Sequence, residues 1–222
     1  MSKSISREEN FTYLTIALIL LLLLSSVLEQ FANQAGQHYI SGSLIVVLAI
    51  GVWSFRAEKK TLKIGIGLVF AVLIVSILNA LFDQAGLHNL HLVFVLVYLI
   101  STTWLAAKQV LFSGRIDGNT IVGSICIFLL LGLVWAMLYL LLLSIDPTSF
   151  NGVAEADWYD NFSQLVYYSF VTLSTLGYGE ITPKLPVARF LAYAEAITGQ
   201  FYMAILVASL VGARLSRGSH KG

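Results

Sequence analysis

Six stretches of this chain are each long and apolar enough to cross a bilayer, and no other feature restricts its fold so tightly. A hydrocarbon core about 30 Å thick takes roughly twenty residues of helix. Runs near that length fall at 11–31, 38–55, 64–82, 90–112, 119–145 and 187–212. The second is the weakest, because Gly42 and Ser43 interrupt its start. A seventh piece, 162–173, is too short to span and has the length of a re-entrant helix. Hydrocarbon offers backbone groups no partner, so the runs must close their own hydrogen bonds as helices. Composition agrees: 58% of residues are hydrophobic and 11% charged, against about 25% charged in a soluble domain. Such a chain cannot clothe a soluble surface, and the expected class is an all-α membrane protein. A net charge of +1 gives no case for nucleic acid. Lys3 and Arg7 precede the first run as in a signal peptide, but the run is long for one and no small-residue pattern closes it, so it counts as a span. The lone Cys126 rules out an intrachain disulfide and reads as a buried small hydrophobe.

Basic residues fix the expected orientation, since lysine and arginine collect in cytoplasmic loops. Arg56, Lys59, Lys60 and Lys63 lie between runs two and three, Lys108 at the end of run four with Arg115 after it, and Arg214, Arg217 and Lys221 after six. The loops after runs one and three have none. Six spans with both termini in the cytoplasm of a cell membrane satisfy this bias; Lys184 and Arg189 are the exceptions on the outer side. A repeat supports the count: "LEQFANQAGQH" at 28–38 matches "LNALFDQAGLH" at 78–88, an offset of fifty. Leu28/Leu78, Gln34/Gln84, Ala35/Ala85, Gly36/Gly86 and His38/His88 are shared. The expected divisions are a cytoplasmic N-terminus at 1–10, a four-helix unit of two repeated hairpins at 11–112, a second module at 113–214 and a cytoplasmic tail at 215–222.

Between the short run and the last span lies "TLSTLGYGEITP", residues 172–183. Glycine enters left-handed dihedrals without steric penalty. Alternating such residues with ordinary ones in Thr175-Leu176-Gly177-Tyr178-Gly179 turns successive carbonyls to one side. With the threonine hydroxyl they can form oxygen cages for a desolvated cation. One loop cannot surround an ion, so several copies must meet on an axis, buried in protein where irregular backbone is allowed at membrane depth.

These residues resemble the selectivity filter of the potassium channel family, in which four TVGYG loops replace the ion's hydration shell. Leucine stands here for the valine, which keeps the carbonyl. "FSQLVYYSFVTLS" resembles the family's pore helix and "LAYAEAITGQFYMAILVASLVG" its inner helix, so the likeness covers about 119–214. The implied architecture is six-transmembrane and voltage-gated-like, with one pore loop per chain and a homotetrameric pore in a lipid bilayer. The resemblance implies potassium bound at Thr175, Leu176, Gly177 and Tyr178, with support from Tyr167, Tyr168, Thr172 and Glu180; Glu180 stands where the family usually has aspartate. It implies passive conduction and no enzyme activity, with potassium as permeant ligand and no cofactor. A less selective cation channel is the alternative within the class. A potassium-uptake transporter subunit is another, though such proteins carry four pore loops in one chain. An intramembrane enzyme has no support in the form of HExxH, serine–lysine or paired aspartates.

The flanking residues give further expectations. Asn161 is a good N-cap for the short helix, with Gln164 completing a capping box; "NFS" at 161–163 is also a glycosylation sequon. The negative end of that helix favours a cation beneath the filter. Asp146, Glu155, Asp157 and Asp160 would ring the outer mouth in an assembly. Run four has a single basic residue, Lys108, where a voltage sensor carries arginines at every third position. Steep voltage gating is therefore not expected, nor is a cytoplasmic ligand domain in the few residues after run six. Gly199 is either a hinge of the last span or a close-packing glycine. Glu195, one turn earlier, is either a structural hydrogen-bond partner or a gating residue. His38, His88 and His91 are placed in outer loops, where histidines can sense pH.

Overall fold

A computed structural model describes residues 10–31, 36–54, 59–82, 85–111, 118–154 and 159–219. Every apolar run is a helix: α1 (Asn10–Phe31), α2 (Gly36–Ser54), α3 (Lys59–Phe82), α4 (Ala85–Leu111), α5 (Gly118–Ile145), the short α6 (Phe162–Leu173) and α7 (Pro186–Ser219). A 3-10 turn, Pro147–Ser149, leads into β1 (Phe150–Asn151), which pairs antiparallel with β2 (Thr182–Pro183) in the register Phe150↔Pro183 and Asn151↔Thr182. Among the described residues, three stretches are long and apolar enough to cross a membrane: Phe11–Leu28, Gly86–Val110 and Gly118–Ile145. Lys63–Asn79 is a shorter apolar stretch. The chain is a mostly helical protein with the character of a multi-pass membrane protein.

Three expectations change here. The polar first turns of α4, "AGLHNLH", do not look like membrane to a hydropathy reading, yet the helix already starts at Ala85 rather than near 90. His88 and His91 therefore lie inside α4 and not in an outer loop, and His91 is only 1% exposed. His38 likewise lies within α2, with its side chain outside the described residues. Finally, α7 runs on to Ser219, so the stretch assigned to a tail from 215 is helical that far. Gln34, Ala35 and Gln84 of the repeat lie outside the described residues.

Helix α5 is the central pillar, with α1, α4, α6 and α7 all packed against it. One continuous core joins Leu14, Leu18 and Leu21 of α1, Leu44 and Leu48 of α2, Leu92, Val95 and Leu99 of α4, and Leu130, Leu133 and Met137 of α5. Cys126 is buried in it as a free thiol. Lipid tails are as apolar as leucine, so burial alone does not drive helices together in a bilayer; close packing and interhelical hydrogen bonds do. Such bonds are present at several levels. Tyr98 of α4 donates to the Leu48 carbonyl of α2 at 2.5 Å. Tyr202 of α7 donates to the Ser124 carbonyl of α5 at 2.5 Å. Ser144 of α5 donates to Asn89 of α4. Ser101, Thr102 and Thr103 turn their hydroxyls back onto the carbonyls of Val97, Tyr98 and Leu99, which satisfies them without a partner helix.

Candidate functional site

The glycine loop hangs from the C-terminal end of α6. The Ser174 amide bonds Phe170 O at 3.0 Å, and that of Thr175 bonds Thr172 O at 2.9 Å. The amides of Leu176 and Gly177 both return to Val171 O, at 2.9 and 3.3 Å. These bonds gather the helix's last carbonyls, which would otherwise stand unpaired. Beyond them the backbone alternates in hand: Thr175 has φ +59°, Gly177 +57° and Gly179 +92°, whereas Leu176 and Tyr178 stay at negative φ. A Cβ built on Gly177 or Gly179 meets nothing within 4 Å in the protomer, so glycine is required there by its dihedral and not by crowding. Thr175 carries a side chain in the left-handed region, a conformation costing about 1–2 kcal/mol. Residues 174–180 are all exposed in the protomer, with Tyr178 66% accessible.

Tyr167 and Tyr168, paired in the sequence reading, diverge. Neighbours on a helix point about 100° apart, because 3.6 residues make a turn. Tyr167 donates to Glu180 Oε1 just past the loop, so the glutamate side chain does reach a partner behind it. Tyr168 is buried on the far side and packs edge-on against Tyr139 of α5 and Phe150 of β1, at centroid distances of 5.0 and 5.5 Å. Thr172 serves the loop through its carbonyl. Asn161 sits at the N-cap position of α6 but makes no side-chain cap. Its backbone is already helical, φ −88° and ψ −4°, where the side chain cannot fold over the first turn as an extended cap residue does. Its amide instead donates to Ala154 O at 3.2 Å and ties down the preceding loop.

The outer side of the loop is laced to the segment after α5. Besides the β1–β2 pair, the Lys184 amide bonds Ser149 O at 2.8 Å and Asn151 donates to Thr182 Oγ1 at 3.2 Å. Asp146 accepts from the Thr148 hydroxyl at 2.7 Å and the Thr148 amide at 2.9 Å, which hold its carboxyl below the usual carboxylate range. It is committed to the turn as an N-cap. Glu155 and Asp157 of the expected acidic ring lie outside the described residues, and Asp160 sits just before α6.

The inner side is gripped by α7. Glu195 is fully buried. Its Oε2 accepts from Tyr139 of α5 at 2.5 Å and its Oε1 lies 2.5 Å from Ser169 Oγ of α6; that hydroxyl is also 2.7 Å from Gly132 O. One carboxyl thus joins three helices, which is the structural-partner reading of this residue. One turn on, α7 passes Gly199 unbroken, and a Cβ there would collide with the carbonyl oxygen of Leu173 at the end of α6. Gly199 is therefore a close-approach glycine. Backbone cannot yield as a flexible side chain can, so Gly199→Ala is expected to push α7 off the end of α6 and destabilise the fold by about 1–3 kcal/mol. Equilibrium unfolding in detergent measures this, and a variant as stable as wild type would contradict the packing role. The next residue, Gln200, donates from Nε2 to Thr175 Oγ1 at 3.0 Å. Sequence reasoning missed Gln200, Tyr139 and Ser169; a glutamine in the middle of an apolar span was the available signal for the first.

A short helix, an alternating loop and two flanking long helices thus form one packed unit. The profile of an ion-channel family matches residues 124–214, which include α6, the loop and most of α5 and α7. The chain is also 30% identical over 120 residues to Protein LctB of Bacillus caldotenax, covering 53% of this chain and 87% of that protein. The chain belongs to this ion-channel family. No solved structure matches it.

Proposed function

We propose that the chain is one subunit of a homotetrameric, potassium-selective channel that conducts passively across the cell membrane. The observation that carries this reading is the alternation of backbone hand at Thr175, Gly177 and Gly179. Such alternation can turn the carbonyls of Thr175, Leu176, Gly177 and Tyr178 to a common side, and four such loops around an axis would then replace the hydration shell of K+ with oxygens. The exposure of 174–180 in the protomer fits a loop whose partners are other copies. Tyr167, Thr172 and Glu180 brace it. In this reading the protein has six spans with cytoplasmic termini, catalyses no reaction and needs no cofactor. Within the same class, a less selective cation channel is the second reading, favoured by leucine at 176 where the resembling filters have valine.

The test is the purified full-length protein in lipid vesicles, with its mass in mild detergent determined in parallel. A tetramer whose reversal potential follows the K+ gradient against Na+ is expected. A monomer or trimer, or equal passage of the two cations, would overturn the reading.

Gating in this reading resides in the loop or in α7 around Glu195 and Gly199, and depends weakly on voltage. Four copies of Lys108 crossing the whole field would supply at most about 9 kcal/mol per 100 mV, and Lys108 lies in the last turn of α4, where it crosses little of it. Voltage steps in symmetrical K+ should give a shallow activation curve shared by wild type and Lys108→Gln. A steep curve that the substitution flattens would show that α1–α4 sense voltage.

A further inference from the structure

We infer that Gln200 is a positioning residue for the innermost cation cage, holding the Thr175 hydroxyl in the orientation that discriminates K+ from Na+. The inference rests on the reading of residues 175–179 as the cation path and adds a residue to it that lies outside the loop motif.

Three independent features converge on this contact. Thr175 is the one described non-glycine residue at positive φ, so its side chain leaves the backbone in a direction that neighbouring loop residues do not share. Its hydroxyl receives the carboxamide of Gln200 at 3.0 Å. Gly199 then fixes where Gln200 stands, since α7 approaches Leu173 O so closely that no side chain fits at 199. The other polar group on that turn is not a competitor, because Thr198 Oγ1 bonds back to Ala194 O at 2.8 Å. A carboxamide in mid-span is costly to leave without a partner, and Gln200 is exposed in the protomer on the side of α7 that meets the loop.

A threonine hydroxyl has one proton and two lone pairs. The Gln200 N–H occupies one lone pair and fixes the side chain about its Cα–Cβ bond. The remaining lone pair is then held at one place, which is what an oxygen cage sized to one cation requires. Without the amide, the hydroxyl rotates, the cage loses a fixed oxygen from each copy, and the smaller cation is no longer held at a disadvantage.

Gln200→Met keeps the length and packing of the side chain and removes only the polar head. Bi-ionic reversal potentials in vesicles should show a K+/Na+ permeability ratio reduced at least about fivefold, the effect of a single hydrogen bond, since each of the four copies loses one. The K+ concentration that half-maximally raises the melting temperature in detergent should increase by a similar factor, a readout that needs no conduction. The melting temperature without K+ should be unchanged, as a merely structural role would not predict. A Gln200→Met protein with wild-type ratio and wild-type K+ stabilisation overturns the inference, and so does one whose ratio falls together with a collapse of the K+-free melting temperature. A wild-type protein that passes Na+ and K+ alike would instead overturn the reading of the path itself.

Discussion

Replacing Gly177 by alanine is expected to abolish potassium flux, by at least about a hundredfold in vesicle uptake, while the protein still folds. At φ +57° an L-alanine sits where its Cβ crowds the following carbonyl, at a cost of about 1–2 kcal/mol per chain. In the proposed tetramer the four copies act on a single ring of oxygens, so the strain is multiplied where they meet; about 4–8 kcal/mol is enough to remove a conducting geometry of this kind. The same substitution should spare the fold, because a Cβ at 177 touches nothing in the protomer and the loop carries none of the core. Circular dichroism and the assembled mass check folding, and ion flux in the same preparation checks the loop. Undiminished K+-selective flux in Gly177→Ala would refute the assignment of 175–179 as the path.

The second large effect is expected at Glu195. Glu195→Ala strands the buried Tyr139 hydroxyl, leaves Ser169 with the Gly132 carbonyl alone, and opens a gap between three helices. A buried polar group without its partner costs about 1–3 kcal/mol, so stranding Tyr139 should cost about that much, with the gap between the helices adding to it. Glu195→Gln keeps an oxygen and an amide in the same space and should lose far less. The pattern is read from thermal or denaturant unfolding of the two variants with Tyr139→Phe and Ser169→Ala beside them. If Glu195→Ala and Glu195→Gln are equally and mildly affected, the carboxyl is not what joins α5, α6 and α7. If both unfold normally but alter open probability, Glu195 belongs to gating rather than to scaffolding.

Much of this could be read from the chain because bilayer physics leaves few choices. Each apolar run had to be a helix, and bounds such as 119–145 against Gly118–Ile145 differ by one residue because hydropathy changes sharply there. The bounds of the short helix, 162–173, coincide with α6 for the same reason. The start of α4 was not legible, since a helix can begin in polar residues and "AGLHNLH" is no less helical for being outside an apolar run. That one displacement also moved His88 from loop to helix and put His91 a full turn inside it. The failure of Asn161 as a cap is of another kind: residue type sets which caps are possible, but local dihedrals decide which form. The loop's alternation was anticipated from its two glycines, yet nothing in the sequence marks Thr175 as a third left-handed residue. Contacts such as Gln200 to Thr175 or Glu195 to Tyr139 join positions 25 and 56 residues apart, and only the packing of α7 across α5 and α6 brings them together.

The bareness of residues 174–180 in the single protomer has a consequence for how the protein must be made. A solitary chain released into a bilayer would present that loop's carbonyls to hydrocarbon or would drag water in with it, at several kcal/mol for each group left dry. The α7 face beside it carries Phe190, Tyr193, Ile197 and Phe201, side chains that lipid accepts without complaint. Greasy surface therefore gives newly inserted chains little reason to find one another. In the proposed tetramer the naked backbone does, and an unassembled subunit would be the form that a cell's quality control is expected to meet and remove.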